Sequence, residues 1–361
     1  MRIGICGGGI GGLSAAIGLA SLGHDVEVFE RAPELRATGA GLNLWPNAGR
    51  ALYGLGLRAP YDAISVRLNR YLGYDPDGTL LFEADASAWP EKYGAASVGV
   101  YRLALSTMLS DAYGRDRIKY GYDVSSVESR NDSAICHFAN GESYQGDVII
   151  GADGIHSVIR DQLIGGVQFR PNDHHAFRFR SVIDLASVDV DPAAQTGIYT
   201  TDGWLSVIPI GNGKAYWFGS VRGAATIDEF LAFFASWDKT HVPNTLKITP
   251  RETIVQSPLF DVDGSPYKWT HGRVTLLGDA AHPMMPDLAQ GASQTVIDAL
   301  ALRDAFAKTS DVDQALHDYE AIRRPAAAYI VKRSQMGSFR GRHNADPIAI
   351  RYENEVETQS T

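Results

Sequence analysis

The chain has 361 residues, 45% of them apolar and 21% charged, which is typical of a globular protein with a large core and excludes disorder, collagen and coiled coil as its main state. The formal net charge is −9, from 33 basic and 42 acidic residues, which argues against a broad surface for nucleic acid or anionic lipid. We therefore expect a small molecule as the partner.

The first elements predict a βαβ unit. Residues 2–6 read as a short strand, 13–22 as a helix and 26–30 as a second strand, with a glycine-rich turn at 7–12 between the first strand and the helix. Such a unit predicts a parallel sheet whose ligand lies at the carboxyl ends of the strands.

The rest of the chain predicts two domains. Helices are expected at 47–57 and 103–113, and a third parallel strand at 147–150; aromatic-rich alternation at 177–185, 197–209 and 214–221 predicts antiparallel strands. A buried strand at 273–277 and helices at 291–309 and 311–336 follow. The first domain is therefore discontinuous, with residues 1–70, 98–167 and 270–340. Residues 71–97 and 168–269 form the second domain, and 341–361 form a C-terminal tail.

The glycine turn carries the first chemical motif. Gly7, Gly9 and Gly12 satisfy G-x-G-x-x-G between a strand and a helix. Gly7 permits the tight turn, Gly9 lets the backbone approach a pyrophosphate at the helix N-terminus, and Gly12 lets the helix pack on the strand. Glu30, 18 residues after Gly12, can accept hydrogen bonds from an adenosine ribose. The alternative is that these glycines only close a turn.

Two further motifs follow predicted parallel strands. Asp153 and Gly154 come after the strand at 147–150, and Gly278 and Asp279 come after the strand at 273–277. Ligands of open α/β sheets bind at these strand ends. The alternative for either aspartate alone is a helix N-cap.

Cysteine usage and hydropathy indicate the compartment. Cys6 and Cys136 show neither CxxC nor metal-ligand spacing, so we expect no disulfide framework and no metal site. The sequence shows no signal-peptide pattern, and no apolar run reaches the roughly 18 residues of a membrane span. We therefore expect a cytoplasmic protein that binds neither membrane nor nucleic acid.

In this order and at these separations, the three motifs resemble the single-component FAD-dependent aromatic hydroxylases of the para-hydroxybenzoate hydroxylase fold. The resemblance spans residues 3 to about 329. It implies an α/β fold with a Rossmann-like FAD-binding domain on a parallel sheet and an inserted, mainly antiparallel substrate domain. The loop Ala289-Gln290-Gly291 replaces the commoner Gly-Gln-Gly and resembles the hydroxybenzoate 6-hydroxylases, 6-hydroxynicotinate 3-monooxygenases and hydroxypyridine-carboxylate oxygenases.

By this resemblance the cofactor is FAD, with NADPH or NADH as co-substrate. Asp279 resembles the aspartate that binds the ribityl hydroxyls, and the Asp153–Gly154 pair is associated with both FAD and NAD(P)H. The residues that the resemblance assigns to the cofactor are Gly7, Gly9, Ile10, Gly11, Gly12, Glu30, Arg31, Gly41, Leu42, Arg102, Asp153, Gly154, Gly278, Asp279, Pro286, Gly291 and Ala292.

The reaction implied is hydroxylation of a small hydroxylated aromatic or N-heteroaromatic ring by O2 through a flavin C4a-hydroperoxide. The catalytic base is not identified, and the oligomeric state is open between monomer and homodimer. Alternation along the second sheet puts Arg178 and Arg180 on one face, where either could pair with a substrate carboxylate if that face is inward. The candidates for catalytic residues are His282, as a base near the flavin, and Arg178, Arg180, Tyr199 and Tyr216, with Trp204 and Trp217 as further pocket aromatics.

Several alternatives remain at this point. An outward-facing sheet would leave the two arginines in solvent, the aromatic residues could belong to the core, and His282 could be structural. A flavin-dependent halogenase of the same fold would need a W-x-W-x-I-P motif, in which this chain has Ser206 at the second Trp position, and a lysine, for which only Lys92 is available. A flavin- or ligand-sensing protein without turnover is the other alternative.

Overall fold

The computed structural model describes residues 1–35, 40–171, 177–262 and 267–335. The tail expected at 341–361 lies outside these ranges. Within them, no helix combines the length and the apolar character needed to cross a membrane.

The first part of the chain alternates short strands with helices. Its strands are β1 (Arg2–Cys6), β2 (Asp25–Glu30), β3 (Gly41–Leu44), β4 (Ser65–Arg67), β5 (Arg70–Tyr74), β6 (Leu80–Asp85), β7 (Val98–Tyr101) and β8 (Ile118–Tyr120). Its helices are α1 (Ile10–Ala20), α2 (Pro46–Gly54), α3 (Arg58–Ile64), α4 (Trp89–Tyr93) and α5 (Arg102–Tyr113).

The middle and last parts contain the long strands and the long helices. In chain order they are β9 (Val124–Ser129), β10 (Ala134–Phe138), β11 (Ser143–Gly146), β12 (Val148–Gly151), α6 (Val158–Ile164), β13 (Phe169–Pro171), β14 (Phe177–Asp184), β15 (Ala194–Tyr199), β16 (Gly203–Gly211), β17 (Lys214–Val221), α7 (Ile227–Phe233), α8 (Val242–Ile248), β18 (Val255–Pro258), β19 (Phe260–Val262), β20 (Val274–Leu276), α9 (Gly291–Lys308) and α10 (Val312–Gln335).

A five-stranded parallel sheet in the order β20-β12-β1-β2-β8 forms the first core. Its central strands β1 and β12 are buried on both faces, as parallel strands covered on both sides require, and Ile3, Ile5 and Ile150 are completely buried. Because β20, β12 and β1 are neighbours, their carboxyl ends lie side by side. The sheet therefore brings the three motifs predicted from the sequence to one edge.

Helix α1 begins earlier than predicted and packs on α9. It starts at Ile10 rather than residue 13, so the last glycines of the turn already belong to its first turn. A Cβ added to Gly11 would lie 2.4 Å from Cγ2 of Thr295. The absence of a side chain at Gly11 thus lets two helices from opposite ends of the chain meet beside the glycine turn.

The second large sheet has the order β18-β14-β17-β16-β15-β5-β6. One face packs against α7 and α8 through a core that includes Phe179, Trp217 and Phe230. The prediction of a single strand at 197–209 is wrong: a turn closed by the Thr200 N–H donating to the Gly203 carbonyl, 2.9 Å away, separates β15 from β16.

Candidate active site

A cleft of about 420 Å³ lies between the edge of the parallel sheet and the second face of the antiparallel sheet. This volume is within the range of roughly 300–1,000 Å³ that is usual for ligand and cofactor sites. Of the residues assigned to a cofactor by resemblance, those lining the cleft are Gly9, Ile10, Gly11, Gly41, Leu42, Arg102, Gly154, Gly278, Asp279, Pro286, Gly291 and Ala292. Those outside the lining are Gly7, Gly12, Glu30, Arg31 and Asp153.

The three fingerprint glycines have different surroundings. Gly7 has φ +121°, and a Cβ there would lie 2.1 Å from the Ala152 carbonyl oxygen. A Cβ on Gly12 would lie 1.9 Å from the Gly7 carbonyl oxygen. Gly9, in contrast, has no atom within 4 Å of the corresponding position. Gly7 and Gly12 therefore build the turn, while Gly9 presents bare backbone to open space at the N-terminus of α1, as a bound pyrophosphate requires.

Glu30 holds the glycine turn from the neighbouring strand. Its Oε2 accepts a hydrogen bond from the Gly8 amide at 2.7 Å, and Oε1 accepts one from the Ala32 amide at 2.8 Å. Each carboxylate oxygen keeps a further acceptor position. Arg31, the next residue, is exposed to solvent away from the cleft.

Asp153 supports the start of α6 without being its N-cap, which is Ser157. Its Oδ1 accepts a hydrogen bond from the Ser157 hydroxyl at 2.6 Å, and Oδ2 accepts one from the Ile159 amide at 3.2 Å, at the start of α6. Burial raises the pKa of the carboxyl, against the effect of these hydrogen bonds. The adjoining Gly154, and not Asp153, lines the cleft.

Asp279 differs from Asp153 because its carboxylate has no hydrogen-bond partner among the described residues. Its side chain is exposed in the open cleft, and partial desolvation by the surrounding protein raises its pKa, while His282 and Arg102 act to lower it. The Arg102 guanidinium also lines the cleft from the start of α5, without a hydrogen bond or ion pair in the described ranges. A carboxylate and a guanidinium are thus both available to a ligand.

His282 is not in the lining of the cleft. It is 4% exposed, and its Nε2 lies 2.5 Å from Oδ2 of Asp298, whose Oδ1 accepts a hydrogen bond from Nε of Arg323 at 2.7 Å. Oδ2 of Asp298 also accepts from the Gly278 amide at 3.0 Å. This buried network fixes the loop that carries Asp279 and matches the structural alternative for His282.

The face of the antiparallel sheet that carries Arg178 and Arg180 is turned inward. Both arginines line the cleft with Tyr216 on the neighbouring strand. The expectation for Trp217 was wrong, because adjacent strand residues point to opposite faces. Trp217 lies in the core against α7 and α8 and donates from Nε1 to Oγ1 of Thr249 at 2.9 Å.

Arg178 is the most unusual group in the site. It is 6% exposed, and within the described part of the chain its guanidinium forms no hydrogen bond or ion pair. The guanidinium lies over the Trp204 ring, 4.4 Å from the ring centre. Burial lowers the pKa of Arg178, and Asp287 acts in the opposite direction. An arginine side chain remains charged at neutral pH, so a cation without hydrogen bonds faces the cleft.

A second cavity, of about 50 Å³, adjoins the cleft at Arg178. Tyr199 lies in its wall and its hydroxyl is 2.8 Å from the Ser206 hydroxyl. The residues that line both spaces are Asn43, Arg178, Phe218, Pro286 and Ala289. Gln195 was not identified from the sequence, and no motif marks it.

The loop between the two spaces is held by α2. Trp45 donates from Nε1 to the Leu288 carbonyl at 3.1 Å, and Asn47 donates from Nδ2 to Oε1 of Gln290 at 3.1 Å. Ala289 has φ +53°, in the region that favours glycine. The Ala-Gln-Gly variation therefore lies in the wall shared by the cleft and the small cavity.

The halogenase alternative lacks its two requirements in these spaces. Ser206, at the position of the second Trp in the halogenase motif, lines the small cavity. Within the described ranges, no lysine lines either space, and Lys92 lies in α4 with its ammonium 5.0 Å from the Tyr93 ring centre.

Comparison with known proteins agrees with the site. A family model described as an FAD binding domain matches residues 1–334. The chain is 31% identical over 332 residues to the aurachin C monooxygenase/isomerase of Stigmatella aurantiaca, covering 88% of this chain and 84% of that protein. It is 33% identical over 351 residues to an FAD-dependent urate hydroxylase of Mycolicibacterium vanbaalenii, covering 93% and 87%.

Among solved structures, Klebsiella pneumoniae HpxO complexed with FAD and uric acid matches with a TM-score of 0.84 at 26% identity, over 100% of this chain and 93% of that one. The expected fold, a parallel-sheet domain with an antiparallel sheet beside it, is confirmed. The chain therefore belongs to the FAD-dependent aromatic and heteroaromatic hydroxylases, the monooxygenase family that shares this FAD binding domain.

Proposed function

We propose that this enzyme takes NAD(P)H and O2 as co-substrates and hydroxylates a small anionic aromatic or N-heteroaromatic compound whose negative charge is bound by Arg178. The observation that carries the proposal is the buried Arg178 guanidinium, which has no hydrogen bond within the described residues and faces the cleft. A buried charge is costly unless it is paired and hydrogen-bonded. An anionic ligand would supply both the charge and the acceptors, and urate in the related hydroxylase is a heteroaromatic compound of this kind.

The residues of the cleft fit FAD. We assign the pyrophosphate to the open backbone at Gly9, the ribose of the adenosine to Glu30, and the ribityl hydroxyls to Asp279, whose carboxylate lacks a partner among the described residues. Arg102, Gly154, Pro286, Gly291 and Ala292, with Ile10, Gly11, Gly41, Leu42 and Gly278, form the remaining walls. FAD supplies the chemistry of hydride acceptance and oxygen activation.

The chain itself binds and orients the ring and excludes water. Arg178 can form two parallel hydrogen bonds to a carboxylate or to a delocalised oxyanion, which fixes the ring in one plane. Phe218 and Pro286 add apolar surface at the junction of the cleft and the small cavity. We assign Tyr199, Tyr216 and Arg180 to the walls around this ring, and no proton transfer to His282, because Asp298 engages it in the interior.

We also propose the domain division predicted from the sequence. Every strand of the five-stranded sheet comes from residues 1–70, 98–167 or 270–340. The seven-stranded sheet comes from 168–269 together with β5 and β6, and β5 begins at Arg70, one residue before the predicted boundary. The substrate then lies between the two sheets.

The decisive experiment is oxygen incorporation. The purified protein is examined for flavin absorption, its cofactor is released by heat and identified by chromatography, and NAD(P)H oxidation is measured with a panel of anionic phenols, hydroxypyridines and purines. We expect FAD and a product that gains one atom of 18O from 18O2. Label found only in peroxide or water across the panel would contradict the proposal and favour a sensor, and a halogenated product would favour the halogenase alternative.

A further inference from the structure

The small cavity has a polar wall formed by the amide side chains of Asn43 and Gln195. Its volume of about 50 Å³ compares with roughly 10–15 Å³ for one water molecule, so it has room for polar substituents but not for a whole ring. Gln195 on β15 and Arg178 on β14 both line it. Because its wall is shared with the cleft at Asn43, Phe218 and Pro286, a ring in the cleft can project one edge into it.

A chain of buried hydroxyl and amide groups orients Asn43. Tyr71 and Ser97 are 1% and 0% exposed, and their hydroxyls are hydrogen-bonded to each other. Burial raises the pKa of Tyr71 to about 12, so it remains a neutral hydroxyl. The Ser97 hydroxyl also donates to Oδ1 of Asn43 at 3.2 Å. The Nδ2 group of Asn43 carries two N–H groups, of which one donates to the Tyr71 hydroxyl at 3.4 Å and the other is left for a further neighbour.

Asn43 in turn orients Gln195. Its Nδ2 donates to Oε1 of Gln195 at 3.1 Å, across 152 residues of sequence. The Nε2 group of Gln195 has no hydrogen-bond partner within the described residues, and the Gln195 side chain lines the small cavity. An amide nitrogen carries two donors and no acceptor. The polar wall therefore offers N–H groups to the cavity.

We propose that Gln195 is a specificity-determining residue that donates from Nε2 to a neutral acceptor, an oxo group or a ring nitrogen, on a substrate whose anionic group is bound by Arg178. This inference rests on the proposed function and narrows its substrate class. The strand registers place Phe179 level with Ile198, so Arg178 lies level with Tyr199, four residues and about 13 Å along β15 from Gln195. Arg178 and Gln195 therefore bind separate groups, and the ring must carry its anionic and neutral acceptors at opposite ends.

The test uses the FAD-bound enzyme without NAD(P)H and two ligands that share a carboxylate. The first, 6-oxo-1,6-dihydropyridine-3-carboxylate, has a ring oxo group, and the second, benzoate, has none. The change in flavin absorption on titration measures the affinity for each ligand. One neutral hydrogen bond predicts roughly three- to tenfold tighter binding of the oxo ligand. Gln195→Leu should abolish this preference and leave the affinity for benzoate unchanged, and Gln195→Glu should disfavour the oxo ligand.

Two further variants distinguish a loss of the Asn43 orientation from a non-specific disturbance of the fold. Ser97→Ala changes a residue outside both cavities and should reduce the preference in part, because Asn43 loses its fixed orientation. Gln256→Leu, on the edge strand β18, should keep the full preference. A preference unchanged in Gln195→Leu overturns the proposal. Equal binding of both ligands by the unmodified enzyme overturns the role of Gln195 and leaves that of Arg178, whereas binding of neither ligand overturns both.

Discussion

The guanidinium of Arg178 is stacked on Trp204, with its central carbon 4.4 Å from the ring centre. Such a contact contributes about 0.5–2 kcal/mol, while the effective cost of burying an ion is several kcal/mol. The contact therefore does not offset the burial. The ligand-free site holds a net unfavourable charge, and an anion relieves it.

Because the charge is unfavourable in the ligand-free protein, we expect Arg178→Met to keep or increase the stability of the fold while weakening the binding of an anionic ligand. Replacing a buried charge by an apolar side chain of similar size should leave the free energy of unfolding unchanged or raise it by up to about 4 kcal/mol. Loss of charged hydrogen bonds should weaken binding of an anionic ligand roughly ten- to hundredfold. Urea unfolding and flavin-monitored titration measure the two effects. Arg222→Met, at an exposed arginine beside Asp202, is the control, and a destabilised Arg178→Met with normal binding would contradict this account.

Asp279→Ala should weaken FAD binding. Loss of hydrogen bonds from hydroxyls to a charged acceptor costs about 1.5–3 kcal/mol, which is roughly a ten- to hundredfold rise in Kd. The fold should survive, because Asp279 forms no hydrogen bond with the described residues. Fluorescence titration of the apoprotein with FAD measures the change, with Asp228→Ala on α7 as control. An unaltered Kd would exclude Asp279 from the cofactor site.

Asp298→Asn should be among the most destabilising single changes. It leaves Arg323 and His282 buried without their carboxylate, and breaking a buried ion pair costs about 3–5 kcal/mol. Asp304→Asn breaks an exposed pair on the same helix and should cost at most about 1 kcal/mol. The difference is read from urea unfolding at neutral pH.

The same carboxylate predicts a pH dependence. Burial acts to raise the pKa of Asp298, but His282 and Arg323 outweigh it and hold the pKa below its usual value. A group whose pKa is lower in the folded state stabilises the fold above its unfolded pKa, about 3.9 for aspartate, and loses this contribution as pH falls through the folded value. The difference in the free energy of unfolding between Asp298→Asn and the unmodified protein should therefore become smaller below about pH 4. A constant gap down to pH 3 would be inconsistent with the ion pair.

Ala289→Gly should stabilise the protein. A left-handed conformation costs a residue with a Cβ about 1–2 kcal/mol. Glycine avoids this strain, but ordering its more flexible unfolded backbone offsets about 0.5–1 kcal/mol of the gain in folding free energy. The expected net gain is about 0.5–1 kcal/mol. The same change at Ala301, inside α9, should instead cost about 1 kcal/mol. Thermal unfolding should show a higher melting temperature for Ala289→Gly and a lower one for Ala301→Gly than for the unmodified protein.

The parts of the fold that sequence predicts are those with local chemical signals. Apolar runs followed by glycine at Gly7, Gly151 and Gly278 mark β1, β12 and β20, and the βαβ unit at the start of the chain predicts the parallel sheet that contains them. The turn between β15 and β16 was missed because apolar alternation on both sides concealed the polar residues at 200–202.

The substrate side was only partly predictable. Residue parity placed Arg178 and Arg180 on one face, but only the packing of α7 and α8 on the other face decides which is inward. Gln195 lies in no motif, and its partner Asn43 is 152 residues away. The orientation of its amide depends, through Asn43, on Tyr71 and Ser97, which lie in other elements. The residues around Gln195 in the sequence therefore do not predict its role.

The contact between Gly11 and Thr295 has a consequence for synthesis of the protein. These residues form adjoining walls of one cleft, yet Thr295 follows Gly11 by 284 positions in the 361-residue chain. At about 5–20 residues per second, a ribosome takes roughly 15–60 s between them. During that interval the glycine turn has emerged without its opposite wall, so the nascent chain meets cellular FAD with half a binding site, and loading of the flavin must await the last helices.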